Sequence, residues 1–147
     1  MTPRVVLDSN VLVSGLRSRL GTAFRLLSLL GSDRFVTVVS VPVVLEYEKA
    51  LLDVEHGLPY SREEIRRFLD YFCAASDCRK VYFLWRPCLR DANDDMILEA
   101  AVAGRCGYIV TFNVKDFSGV ARFGIRALPP RDFLRGLGVI RGLGVKR

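Results

Sequence analysis

The stretch that decides the fold is the apolar run at residues 4–16, which is Arg4-Val5-Val6-Leu7-Asp8-Ser9-Asn10-Val11-Leu12-Val13-Ser14-Gly15-Leu16. A run of this kind, bounded by polar residues, is typical of a strand buried on both faces, and we expect the strand to end at Asp8. Burying an unpaired carboxylate in an apolar setting costs on the order of several kcal/mol. Asp8 therefore needs hydrogen bonds from backbone N–H groups, a counter-ion or a bound cation.

Composition indicates one compact domain. Half of the 147 residues are hydrophobic, which is enough for a sizeable core. The apolar runs are broken by charge, and none approaches the ~18 to 20 residues that cross a bilayer. The first run stops at Asp8 after only a few apolar residues, unlike a signal peptide. We therefore expect a cytoplasmic protein with no membrane segment.

The net charge of +6 comes from 22 Lys and Arg residues against 16 Asp and Glu residues. A basic surplus attracts polyanions and suits phosphate contacts, although many basic domains bind no nucleic acid. If the acids are gathered in one place, the remaining surface is more basic than the total indicates. The four cysteines show no Cys-x-x-Cys spacing and have only His56 as an imidazole partner, so we expect reduced thiols and no zinc site.

Helical and strand patterns alternate after the first strand. In chain order we expect a basic loop at 16–21, a helix at 22–30, a strand at 35–39, a helix at 41–53, a helix opened by a capping box at 61–64, a strand at 80–84, a helix at 96–103, a strand at 108–111, a short strand at 125–128 and a helix at about 131–137. This alternation predicts right-handed βαβ units and a parallel sheet covered on both faces, in one domain over residues 1–137. Residues 138–147 are basic and glycine-rich, which predicts a flexible tail.

Polar residues gather at the carboxyl ends of the predicted strands, where open parallel sheets bind ligands. Asp8 ends the first strand, and Asn113 and Asp116 follow the strand at 108–111. Turns also favour Asn and Asp, so a structural role for the last two stays open. Glu46 and Glu48 lie on the helix after the second strand, and periodicity does not choose between them, because each has apolar residues three or four positions away.

Three acids and an amide, Asp91, Asn93, Asp94 and Asp95, lie at the start of a helix. Carboxylates at a helix N-terminus gain ~0.3 to 1 kcal/mol each from capping and the helix dipole, which accounts for one or two of them. Three acids so close together repel one another, and a cation is the simplest group that makes the cluster favourable. Because no His or Cys converges with these oxygen donors, they indicate Mg²⁺ or Mn²⁺ rather than zinc. Together with a basic surface, the pattern favours hydrolysis of a phosphodiester.

Four segments, in order, resemble the motifs of PIN-domain ribonucleases: residues 6–15, Leu45-Glu46-Tyr47, Asp91-Ala92-Asn93-Asp94-Asp95 and Val110-Thr111-Phe112-Asn113-Val114-Lys115-Asp116-Phe117. The chain most resembles the branch of toxin components of bacterial and archaeal toxin–antitoxin systems, similar to the VapC toxins. The resemblance implies a three-layer α/β/α fold with a parallel sheet of about five strands, and an endoribonuclease that depends on Mg²⁺ or Mn²⁺. It also implies an RNA substrate, a cognate antitoxin protein and a homodimer.

The resemblance assigns the metal-site acids by position. It implies that Asp8, Glu46 and Asp94 are ligands of one or two divalent ions. Of the two glutamates on the helix, it assigns this role to Glu46 and not to Glu48. The fourth motif departs from the form with Asp directly after Thr-x, because this chain has Asn113 there. Asp116 would supply the missing charge, so either residue could contact the ion.

Further residues receive supporting roles. Ser9, Asn10 and Thr111 would orient the acids by hydrogen bonds, and Asp91 and Asp95 would flank the metal-site acid between them. Four arginines in loops expected near the strand ends are candidates for contacts to the RNA backbone: Arg17, Arg19, Arg86 and Arg90.

Two other interpretations stay open. A phosphatase of the haloacid dehalogenase type also has a strand ending in Asp-x-Asp, but Asn10 cannot donate a proton in the role of the second Asp. The other alternative is a catalytically weak or inactive PIN-like protein that binds RNA or a protein partner. Metal-dependent cleavage distinguishes it from the enzyme.

Overall fold

The computed structural model describes residues 2–81, 89 and 91–139. Within them, five strands form one parallel sheet: β1 (Arg4–Leu7), β2 (Val36–Val39), β3 (Asp77–Cys78), β4 (Tyr108–Val110) and β5 (Arg126–Leu128). Their order across the sheet is β3-β2-β1-β4-β5, which places β1 at the centre. The predicted α/β fold with a parallel sheet of about five strands is confirmed.

In the part of the chain that the structure describes, six α-helices pack around this sheet. They are α1 (Ser9–Arg17), α2 (Thr22–Leu27), α3 (Val41–Asp53), α4 (Arg62–Ala75), α5 (Ala92–Ala103) and α6 (Pro130–Gly136), and two 3₁₀ segments lie at Glu55–Gly57 and Val114–Phe123. Val5, Val6 and Leu7 of β1 have no exposed surface. Because successive strand residues point to opposite faces, both faces of the central strand are covered.

Local capping explains where two of these helices begin. The Ser40 hydroxyl accepts a hydrogen bond from the backbone N–H of Val43 at 3.3 Å, which starts α3 directly after β2. Ser61 and Glu64 form the predicted capping box at the start of α4. The helix after β2 therefore begins at the carboxyl edge of the sheet.

The sequence patterns predicted the end of the first strand at Asp8, but they predicted no helix in the second half of the opening apolar run and placed residues 16 and 17 in a loop. The chain turns directly into α1 after Asp8. The buried residues of this helix recur four positions apart, as in a helix and not a strand: Val11, Leu12, Gly15 and Leu16. A Cβ atom on Gly15 would lie 2.4 Å from Leu27 Cδ1, so glycine there allows α2 to pack closely against α1. Apolar residues continue across the strand–helix boundary, which concealed the change of period.

The third strand also differs from the prediction. Residues 77–78 form β3, which pairs with β2 through Val38 opposite Asp77 and Val39 opposite Cys78. Lys80 and Val81 follow this strand, and residues 82–84 of the predicted strand lie outside the described residues. The strand begins early because α4 ends at residue 75 and a salt bridge from Arg4 to Asp77, at 2.5 Å, fixes the chain beside β2.

Other boundaries shift less. The helix α2 ends at Leu27, before the predicted residue 30, and α5 starts at Ala92 because Asp91 caps it. Gly138 and Val139 follow α6, and the remainder of the predicted tail, residues 140–147, lies outside the described residues. None of the helices in the described part of the chain is long and apolar enough to cross a membrane.

Candidate active site

Asp8 lies where the strand order reverses. The neighbours of β1 are β2 on one side and β4 on the other, and this kind of switch point leaves a crevice at the carboxyl ends of the strands. The backbone N–H of Asp8 donates to the carbonyl of Val110 at 2.9 Å, which joins the ends of β1 and β4. Only 8% of Asp8 is exposed. Its carboxylate therefore lies in the floor of this crevice.

Two hydrogen bonds hold the Asp8 carboxylate. Oδ1 accepts from the backbone N–H of Ser9 at 2.7 Å, and Oδ2 accepts from the Thr111 hydroxyl at 2.8 Å. Burial nevertheless raises the pKa of Asp8. The two hydrogen bonds lower this pKa, but they do not cancel the effect of burial, and the negative charges of Asp116 and Asp91 raise the pKa further. Within residues 2–81, 89 and 91–139, hydrogen bonds orient this carboxylate and no basic side chain forms an ion pair with it.

Thr111 and Asn10 tie the loop after β4 to the start of α1. The Thr111 Oγ1 atom accepts from the backbone N–H of Asn113 at 3.0 Å and from Asn10 Nδ2 at 3.5 Å. Asn10 Oδ1 accepts from the backbone N–H of Phe112 at 3.4 Å. The side chain of Asn10 is thus used to hold this loop, which leaves the phosphatase alternative without support from the structure.

The structure separates Glu46 from Glu48, which periodicity could not do. Half-buried Glu46 has a raised pKa, chiefly through burial and with contributions from the charges of Asp8 and Asp91, while Lys49 acts in the opposite direction. The carboxylate of Glu48 instead pairs with an arginine of α4, Arg66, at 3.5 Å. Only the first of the two glutamates therefore shares the electrostatic environment of Asp8.

Tyr47, between these glutamates, fixes α3 to β1. It is fully buried, and its hydroxyl donates to the carbonyl of Leu7 at 2.5 Å, one residue before Asp8. Burial raises its pKa well above the ordinary value, so the hydroxyl keeps its proton. The sequence analysis missed this role, although a tyrosine in the buried stripe of Val43 and Leu51 signals a buried polar atom that needs a partner.

The acids at the start of α5 divide into three roles. Exposed Asp91 caps the helix by accepting from the backbone N–H of Asn93 at 2.9 Å. Asp95 is 2% exposed and accepts from the backbone N–H of Leu89 at 2.8 Å. Asp94 is half-buried, and its pKa rises to about 7 through burial first and then through the charge of Asp8 and the acids around it. Hydrogen bonds from backbone N–H groups therefore account for Asp91 and Asp95, but not for Asp94.

Asp116 and Asn113 lie after β4 in exposed positions. The charge of Asp116 raises the pKa of both Asp8 and Asp94, which places its carboxylate in the same electrostatic cluster. The backbone N–H of Asp116 donates to the carbonyl of Asn113 at 3.0 Å, and the Asn113 side chain makes no capping hydrogen bond to the 3₁₀ segment that it precedes. By charge, Asp116 is the better donor for a cation.

We name the set of Asp8, Glu46, Asp94 and Asp116 the acidic cluster. Its donors are all carboxylate oxygens, which suit Mg²⁺ or Mn²⁺, and burial together with mutual repulsion raises the pKa of Asp94. As the side chains stand, no three metal-ligating residues of the described chain are close enough together to hold an ion. The chemistry of the donor set fits a divalent cation, and closing the site requires the more exposed side chains to turn toward Asp8.

The predicted arginines are not all at this edge. Arg17 is the last residue of α1 and Arg19 follows it, so a helix of about 13 Å separates them from Asp8. The helix α1 thus lies between these two arginines and the end of β1, and their contact with an RNA backbone stays a prediction. Arg86 and Arg90 lie outside the described residues.

The described residues form a doubly wound α/β domain with the acidic cluster at the switch point of its sheet. A PIN domain family model matches residues 4–115, and the chain belongs to the PIN domain family. PIN domains are generally nucleases. A sequence search of curated proteins gives no match.

One solved structure shows the same fold. A chain of the crystal structure of VapBC2 from Rickettsia felis, bound to a DNA fragment from their promoter, superposes on this chain with a TM-score of 0.58. The match covers 84% of this chain and 96% of the other, at 17% sequence identity. This level of identity shows a shared fold.

Proposed function

We propose that the protein is a divalent-metal-dependent endoribonuclease and the toxin of a type II toxin–antitoxin pair. The observation that carries the proposal is the acidic cluster at the switch point of a PIN domain fold. Asp8 follows β1, Glu46 lies in the second turn of α3, Asp94 lies in the first turn of α5, and Asp116 lies in the 3₁₀ segment after β4. Each of Asp8, Glu46 and Asp94 has a pKa raised by burial and by neighbouring carboxylates, as expected of groups that await a cation.

In this proposal the acidic cluster, with Asn113 as a further donor, would hold Mg²⁺ or Mn²⁺. When bound, the ion activates water and neutralises charge on the phosphate under attack. Thr111 and the backbone N–H of Ser9 fix the direction of the Asp8 carboxylate, and Asn10 fixes the loop that carries Asn113. Asp91 and Asp95 set the start of α5 and so the position of Asp94. These contacts fix the Asp8 carboxylate and the backbone segments that carry Asn113 and Asp94 before an ion binds.

The substrate and partners follow from charge and from the fold relative. The net charge of +6, with the acids partly gathered at one edge, leaves the remaining surface suited to a polyanion such as RNA. Arg17, Arg19, Arg86 and Arg90 are proposed contacts to the RNA backbone. The VapBC2 relative is a complex, which supports a cognate antitoxin for this chain. We further propose a cytoplasmic homodimer.

The test is cleavage of a mixed-sequence RNA by the pure protein with Mn²⁺ or Mg²⁺, and with EDTA. We expect cleavage that EDTA abolishes and that Asp8→Asn lowers at least about 100-fold, because the cluster loses its most buried charge. Glu48→Gln is the matched control, since this acid lies on α3 but pairs with Arg66. Full activity of Asp8→Asn would reject the proposed site. Binding of RNA without cleavage by the wild type would favour the inactive PIN-like alternative.

A further inference from the structure

Phe112 presents an aromatic ring beside the acidic cluster. It is 45% exposed and directly follows Thr111, whose hydroxyl donates to Asp8. Val114, two residues further on, is 38% exposed. Single apolar residues on a surface need no explanation, but here two of them flank Asn113 in the loop that the site itself positions.

The backbone on both sides of Phe112 is held. Its own N–H donates to Asn10 Oδ1 at 3.4 Å, and the N–H of Asn113 donates to Thr111 Oγ1 at 3.0 Å. These bonds connect the loop to the same Thr111 that orients Asp8. The backbone that carries the exposed ring is therefore held beside Asp8.

A shallow depression surrounds the ring. It is lined by Phe112, Asn113, Val114, Lys115 and Asp116. The lining combines an aromatic face, an amide with donor and acceptor atoms, and one exposed cation. Unpaired bases in single-stranded RNA bind to this combination, because a base stacks on the ring while its backbone phosphate contacts a cation.

We propose that this depression is a nucleobase subsite in which Phe112 stacks on an unpaired base next to the cleaved bond. The inference rests on the proposed ribonuclease function and adds a residue that holds the substrate: Phe112, which binds one unpaired base. A base within a duplex is stacked on its neighbours and has no free face for the ring. Lys115 holds the adjoining phosphate.

The test compares Phe112→Ala, Phe112→Trp and Tyr71→Ala. Tyr71 is the matched control because it is 52% exposed and its hydroxyl donates to the carbonyl of Leu30, ahead of β2 at the opposite end of the strands. Binding of a fluorescent 12-nucleotide single-stranded RNA is measured by anisotropy in EDTA, where metal-dependent cleavage cannot occur. We expect Phe112→Ala to weaken binding about 10-fold, Phe112→Trp to retain it and Tyr71→Ala to match the wild type.

A second measurement links the ring to a base. The same RNA is made with one abasic nucleotide at each position in turn, and one abasic position should weaken binding by the wild type but not by Phe112→Ala. With Mn²⁺ present, Phe112→Ala should raise KM about 10-fold for single-stranded RNA while kcat changes less than about 3-fold. A duplex of the same sequence should be cleaved poorly by every variant.

The outcomes separate the two proposals. Equal binding by the wild type and Phe112→Ala overturns the nucleobase subsite, whether or not the RNA is cleaved. If Phe112→Ala loses binding but the wild type does not cleave with Mn²⁺, the subsite stands and the ribonuclease function fails. An equal loss of binding in Tyr71→Ala also overturns the subsite, because the effect is then not specific to this ring.

Discussion

Two groups of acids in this molecule have opposite surroundings. Away from the carboxyl ends of the central strands, acids pair with basic side chains: Asp77 lies 2.5 Å from Arg4 and 3.0 Å from Arg79. The hydrogen bonds in this group lower the pKa of Asp77 and of Glu55, which pairs with Arg62. In the acidic cluster, burial and neighbouring carboxylates raise the pKa of Asp8, Glu46 and Asp94.

The difference shows that basic side chains pair with some acids of this protein and not with others. It has 22 Lys and Arg residues, yet among the described residues none forms an ion pair with the acidic cluster. Leaving this group uncompensated has an energetic cost, and a bound cation would remove it.

Glu46 belongs to the acidic cluster and Glu48 to the paired acids, so replacing each of them should give the largest difference in RNA cleavage. We expect Glu46→Gln to lower metal-dependent RNA cleavage at least about 100-fold and Glu48→Gln to change it less than about 2-fold. The reason is that Glu46 shares the environment of Asp8, while Glu48 pairs with Arg66. Initial cleavage rates at saturating Mn²⁺ check this, and equal losses in both variants would remove the distinction.

Thr111→Val tests the hydrogen bond that orients Asp8. We expect metal affinity and cleavage to fall about 10- to 100-fold, because the carboxylate loses the hydroxyl that fixes its direction. Thr37→Val is the control: Thr37 is also buried, and its hydroxyl bonds to Ser76 away from the site. Both variants should lose about 1 kcal/mol of stability. Calorimetric Mn²⁺ titration of the two should show the affinity loss in Thr111→Val alone.

Asp94→Asn should stabilise the metal-free protein at high pH. The folded-state pKa of about 7 lies above the ordinary value of 3.8, so the native state binds a proton more tightly than the unfolded state. The charged form therefore lowers stability above pH 7, and this destabilisation fades as pH falls toward 4. After allowance for solvent screening and for the lost helix-dipole interaction, we expect a gain of about 1 kcal/mol, or ~2 to 4 °C, at pH 8.

Melting temperatures in EDTA at pH 8 and pH 4 measure this gain. The gain should be present at pH 8 and absent at pH 4. Addition of Mn²⁺ should raise the melting temperature of the wild type more than that of Asp94→Asn. A large loss of metal-free stability at pH 8 would show that capping dominates at this position.

Asp77→Asn should have the smallest effect, with the opposite sign. Its lowered pKa means that the paired carboxylate stabilises the fold above pH 4, and that this contribution is lost as pH falls further. We expect a loss of ~0.5 to 1 kcal/mol at pH 7 that disappears near pH 2, and unchanged cleavage. Chemical denaturation at the two pH values checks this. A gain in stability at pH 7 would contradict the division into two groups.

The sequence predicts the sheet well because buried parallel strands leave a strong local signal. The strands β1, β2, β4 and β5 were found from short apolar runs, and Ser40 and the Ser61 capping box marked two helix starts. The helix α1 was missed because its apolar face continues the run of β1 without a break. The third strand was misplaced because β3 is only two residues long and depends on pairing with β2 and Arg4.

The candidate site was predicted in part for a similar reason. Acids at strand ends and helix starts can be recognised in the sequence, but the side chains and backbone groups around them come from residues far away in the sequence. Glu48 pairs with Arg66 of α4, which distinguishes it from Glu46, and the hydroxyl of Tyr47 donates to the carbonyl of Leu7. Exposure of Phe112 depends on how the loop after β4 is tied to Asn10. Such contacts link residues far apart in sequence, where periodicity carries no information.

The most direct test of the central claim is a crystal structure of the protein with Mn²⁺, located by its anomalous scattering. The account predicts an anomalous peak at the carboxyl ends of β1 and β4, bound by Asp8 and Asp94 and reached by Glu46 and Asp116. The same experiment on Asp8→Asn should lose the peak. Absence of the peak from the wild type at saturating Mn²⁺, or a peak beside Glu48 instead, would contradict the account.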